Sequence, residues 1–113
     1  MQNFFVVAFA IVLITGCSPS VPTCSDLNTT ALVEIIADRE MANQLGAEEA
    51  ETFTYRVSSI RTTHTNQQTG AYECAAQLEI SALDTDLTSE IPITYTVELI
   101  DNKDEFYVNV FGL

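Results

Sequence analysis

The sequence predicts an α+β domain in which one N-terminal helix lies across a four-stranded antiparallel meander sheet. Three observations predict it. Between Asp26 and Leu45 apolar residues recur at a spacing of three and four, the repeat of one helix face. From Phe53 onward the period falls to two, in four successive runs, as in strands with one buried and one wet face. The polar connectors between runs are of hairpin or loop length, which makes sequential runs antiparallel neighbours. A one-faced helix and a one-faced sheet each need cover, and closing one on the other gives two layers.

In the helix, Leu27, Ala31, Leu32, Ile35, Ile36, Arg39 and Ala42 form the expected inner stripe. Ser25, Asp26 or Asn28 can cap its start, and Gly46 stands where a left-handed stop is expected. Residues 47–52 read as an acidic connector. In the first strand Phe53, Tyr55 and Val57 alternate and Ile60 then falls out of phase, which predicts a bulge near Ser58-Ser59. Tyr72, Cys74, Ala76, Leu78, Ile80 and Ala82 alternate strictly in the second strand. Ile91, Ile93, Tyr95, Val97 and Leu99 do so in the third. Phe106, Val108 and Val110 form the fourth, after the turn 101–104. The remaining connectors are 64–70 and 83–90.

A helix followed by a curled meander is similar to the cystatin-like arrangement, a resemblance of architecture without a diagnostic motif. Such folds host binding, inhibition and catalysis alike, so the arrangement does not choose a function.

Ahead of the domain, every residue from Phe4 to Ile14 is apolar. A bilayer core needs roughly 20 such residues in a helix, whereas the centre of a signal peptide needs about 7–15. The run closes on Ile14-Thr15-Gly16-Cys17, which resembles a bacterial lipobox. Met1-Gln2-Asn3 departs from the usual signal peptide in carrying no Lys or Arg. The resemblance implies a lipoprotein signal peptide at 1–16, an acylated Cys17 with a Pro/Ser tether at 17–23, and a single α+β domain at 24–113. It implies a membrane anchor through lipid on Cys17 and a place in the cell envelope. Ser18, in place of Asp after the cysteine, implies the outer membrane facing the periplasm.

With Cys17 taken by lipid, Cys24 and Cys74 are left as an even pair in a small exported domain, and a disulfide between them is expected. The loop it closes is worth about 4 kcal/mol on a chain-entropy model.

Sixteen acidic residues against four basic ones (Arg39, Arg56, Arg61, Lys103) give a net charge of −12. That charge repels phosphate backbones, so no nucleic-acid partner is expected. It favours cationic partners or divalent ions, or plain solubility.

His64, the single histidine, lies in Arg61-Thr62-Thr63-His64-Thr65 without a motif that would make it a base. It reads as an exposed loop side chain. Asp84-Thr85-Asp86 with Glu90 lacks the glycine and the terminal glutamate of a calcium loop, and Asp101, Asp104 and Glu105 fall short in the same way. Asn28-Thr29-Thr30 matches a glycosylation acceptor, ordinarily silent in a bacterial cell. Ile100, Tyr107 and Phe111 fall opposite the core, where an apolar patch could meet a protein partner. Neither catalytic residues, a metal site nor a cofactor is expected. The sequence reads as a small envelope lipoprotein with a non-catalytic binding or structural role. The alternative is a periplasmic inhibitor or immunity protein that neutralises a cationic toxin or hydrolase.

Overall fold

The computed structural model describes residues 21–100 and 105–113. The lipobox, most of the tether and the turn 101–104 lie outside the described residues. Helix α1 spans Leu27–Leu45 and a single turn, α2, spans Ala47–Ala50. Four strands follow: β1 Phe53–Thr65, β2 Tyr72–Ala82, β3 Thr88–Leu99 and β4 Phe106–Phe111. They form one sheet in sequential order, every neighbour antiparallel. One helix packed on a four-stranded antiparallel open sheet is the α+β architecture expected from the two periods.

Asp26 caps α1, its carboxylate accepting the Asn28 N–H at 2.8 Å. Gly46 ends the helix at φ +96° and ψ 154°. The positive φ is one that glycine adopts readily, as the stop required, while ψ lies outside the left-handed helical region, and the chain turns straight into α2. The stretch read as a connector therefore carries a helical turn that buries Ala50.

The buried face of α1 differs from the expected stripe. Thr29, Val33 and Ala37 point into the core, with Leu32 and Ile36 beside them. Leu27 is 84 % exposed and Ile35 50 %. Apolar residues lie on more than one face of this helix, so spacing alone did not select the inner one. The attachment of its N-terminus to the sheet did, and the small side chains of the chosen face let helix and sheet approach closely.

On the sheet, Val57, Cys74, Ala76, Leu78, Ile93, Tyr95, Val97 and Val108 make the core, each at the phase its alternation required. The bulge is where the phase break put it. The β1–β2 register shifts between Ser58 and Arg61, and Ser59 has φ +54°. A second shift follows between Thr62 and His64. Two connectors are shorter than the polar composition suggested. β1 runs on through His64 to Thr65, and β3 begins at Thr88. Ladder pairing uses backbone groups, so polar residues extend a strand wherever the partner continues. The β1–β2 turn is closed by Asn66, whose side-chain oxygen accepts the N–H groups of Gln68 and Thr69 at 2.9 and 3.1 Å.

Candidate functional site

The helix covers one face of the sheet and leaves the other open. Strand pairing fixes how that open face is laid out. Arg61, Ala75, Thr94 and Phe111 stand in one row across all four strands, and His64, Glu73, Thr96 and Asn109 in the next. Ser58, Gln77 and Pro92 form a third row on the other side.

Ala75 is only 8 % exposed although it faces away from the helix. Its short side chain forms the floor of a shallow trough of about 290 Å³, walled by Arg61 and Phe111 and bordered by Gln77, Pro92 and Thr94. An adjoining depression of about 220 Å³ is lined by Thr63, Glu73, Thr94, Thr96 and Phe111. Phe111 is 55 % exposed, and its ring is the apolar element shared by both hollows. Arg61 makes no ion pair among the described residues, whereas Arg56 meets Glu79 at 3.1 Å. The Ser58 hydroxyl and then Arg56 hold the Glu79 carboxyl below the usual range. Among the described residues the open face therefore offers a cation outside any ion pair, an aromatic wall and a row of threonine hydroxyls, which suits non-covalent contact.

Tyr107 and Phe111, expected opposite the core, are both exposed there, while Ile100 is half-buried at the end of β3. Arg61 and Ala75 were missed as members of this patch. Arg61 follows the bulge, which resets the facing of β1, and the value of Ala75 comes from the long side chains that stand around it.

His64 is exposed near the end of β1, opposite Glu73. The nearby Thr63 hydroxyl donates to the Glu73 carbonyl at 3.0 Å. Asp84 and Asp86 sit in the β2–β3 turn, whereas Glu90 lies within β3 opposite Glu79. Among the described residues no three His, Cys, Asp or Glu side chains converge as a metal site. Asn28 lies exposed in the first turn of α1. Among the described residues no helix is long and apolar enough to cross a membrane.

A separate cavity of about 120 Å³ opens between helix and sheet, lined by apolar Met41, Leu78, Ile80, Ile91 and Leu113 and rimmed by Glu40 and Gln44. Tyr55 also lines it. The Tyr55 hydroxyl oxygen is buried without a hydrogen-bond partner among the described residues. Burial, with a smaller contribution from the Asp38 charge, raises the phenol above its ordinary value.

At the opposite end of the core, Cys24 and Cys74 are joined in a disulfide with their Cα atoms 5.8 Å apart. The Thr62 hydroxyl lies 3.4 Å from the Cys24 sulfur. The bridge ties the segment entering α1 to β2, one of the two central strands, as the inward phase of Cys74 suggested.

No protein-family model, no curated protein and no solved structure matches the chain.

Proposed function

We propose that the chain is a small lipid-anchored protein of the bacterial envelope that acts by binding rather than by catalysis. Cys17 is the lipidated residue, the domain faces the periplasm from the outer membrane, and the open face of the sheet is its contact surface. The observation that carries this reading is the Cys24–Cys74 bridge. Disulfides persist in oxidising compartments and are rare in the cytosol, so the staple agrees with an export signal read independently at residues 1–17. The trough between Arg61 and Phe111 supports the binding part, because it presents an aromatic ring and a guanidinium that makes no ion pair among the described residues.

The intact mass of protein extracted from membranes tests the anchor. Chains beginning at Cys17 and carrying more than one acyl group are expected, since a single acyl chain holds only marginally. A soluble product with an unmodified thiol at residue 17 overturns it.

One observation favours a second reading, an inhibitor or immunity protein for a cationic toxin or hydrolase. Glu48, Glu49 and Glu51 lie beside the β2–β3 turn that carries Asp84 and Asp86, joined to it by the Leu83 N–H donating to the Thr52 carbonyl at 2.9 Å. Such a concentration of carboxylates accelerates encounter with a basic protein. Capture of a specific hydrolase from envelope extract at low salt, weakening at moderate salt, is the outcome this reading requires. Recovery of a purely structural partner would favour the first.

A further inference from the structure

We propose that the free edge of β4 is a self-association edge, along which two copies of this chain pair β4 with β4 about a two-fold axis at Val108. The two edges of the sheet are built differently. On β1 the edge is interrupted by two register shifts and by Ser59 at positive φ. The Val57 N–H, which faces outward, is also occupied by the Glu34 carboxylate at 3.4 Å. Bulges and charged groups are the devices that stop a strand edge from recruiting another strand.

β4 has none of these. Its register against β3 is unbroken from Phe106 to Phe111, and Phe-Tyr-Val-Asn-Val-Phe contains no charge, proline or glycine. Among the described residues nothing pairs with its outer side. In a chain of net charge −12, this strand is where a second copy can approach without placing carboxylate against carboxylate.

The ladder fixes the register of such a pair. The Ile100 N–H donates to the Glu105 carbonyl at 3.2 Å, which makes those two residues a hydrogen-bonded pair. Bonded and non-bonded pairs alternate along an antiparallel ladder. Tyr107, Asn109 and Phe111 therefore bond to β3, while Phe106, Val108 and Val110 turn their N–H and C=O groups outward. Matching those outward groups over the whole strand sets Val108 opposite Val108 and Phe106 opposite Val110 of the second copy. The two adjacent two-fold registers leave one end of β4 unpaired. In the full register Tyr107 faces Asn109 of the second copy as a non-hydrogen-bonded pair, with Cα atoms about 4.5 Å apart. Glu105 faces Phe111, so no like charges stand opposite each other.

Repulsion between two acidic copies opposes the pairing at long range and is screened by salt, with a Debye length of about 10 Å at 0.1 M. Association therefore strengthens as salt rises, the reverse of binding to a basic partner.

Cysteine cross-linking of the full chain tests the register. Tyr107→Cys and Asn109→Cys are made singly and together, oxidised mildly, and the bridges located by peptide mapping. The pair of substitutions is expected to give a covalent dimer bridged 107 to 109 at several times the yield of either single variant, because that contact needs one residue from each copy. Equal yields from singles and double, or no 107–109 bridge, would overturn the proposal. Sedimentation of the unaltered chain supplies a second readout that needs no substitution. A dimer fraction that rises severalfold between about 0.05 and 0.5 M salt supports the pairing. A monomer throughout, or a dimer that dissociates with salt, refutes it.

Discussion

The hydroxyl of Tyr95 donates a 2.8 Å hydrogen bond to the carbonyl oxygen of Cys24, in the turn that precedes α1. Cys24 is also bridged to Cys74, which stands opposite Tyr95 on the neighbouring strand. Two different bonds thus hold the start of the helix to one place on the sheet. Both lie inside the core, where Cys24, Cys74 and Tyr95 are each no more than 2 % exposed.

Tyr95→Phe is expected to cost about 1–2 kcal/mol in urea unfolding, because the Cys24 carbonyl is left buried without its donor. Burial raises the Tyr95 phenol from 10.0 to about 12. Folding favours the neutral form, so this contribution to stability is complete below the unfolded value near 10 and is lost as pH rises from there to about 12. Wild type should therefore lose stability across that alkaline window. Tyr95→Phe should lose less of it, retaining only the smaller fall due to Tyr55, whose phenol is also raised.

Opening the disulfide should be a large loss. Cys74→Ser or Cys24→Ser removes a closure between residues 50 apart, worth about 4 kcal/mol on the chain-entropy model, and leaves a hydroxyl in the core. A thermal midpoint lowered well beyond that of a surface substitution is the expected result. Peptide mapping without reduction gives the direct check on protein from the envelope. Alkylatable Cys24 and Cys74 there would contradict the staple.

Tyr55→Phe should be neutral or stabilising by up to about 1 kcal/mol. The hydroxyl it removes is buried and has no partner among the described residues, so its desolvation is uncompensated there. A loss above about 1 kcal/mol in chemical denaturation would mean that the hydroxyl has a partner in solution, and Asp38 would be the first candidate.

Ser59→Gly should stabilise the bulge. Ser59 sits at φ +54°, where a side chain costs roughly 1–2 kcal/mol and glycine does not. The greater freedom of glycine in the unfolded chain offsets part of this gain, so a net increase of about 0.5–1 kcal/mol is expected in equilibrium unfolding. Ser59→Val should be destabilising.

The orientation of α1 makes two leucine-like positions separable. Ile35→Lys should change stability by no more than about 0.5 kcal/mol, as expected for an exposed site. Val33→Lys, at a position with no exposed surface, should prevent folding or cost several kcal/mol. Equal effects at the two positions would contradict the observed helix face.

What the sequence determined by itself was the number, order and facing of the strands. Alternation from Tyr72 to Ala82 is unbroken because every second side chain must leave water, and the observed β2 has those limits. The phase break at Ile60 located the bulge for the same reason, since a buried period of two cannot skip a residue without bending the chain. Only the tertiary structure decided which side of α1 faces inward. Leu27, Ala31 and Ile35 and the rival set Thr29, Val33 and Ala37 each repeat every four residues, so periodicity treats them alike. The disulfide and the Tyr95 hydrogen bond break that tie by fixing the entry of the helix. The open face was legible in part for the same physical cause. Tyr107 and Phe111 follow from local alternation, whereas the row that joins Phe111 to Ala75 and Arg61 depends on the register between strands, which no single segment of sequence contains.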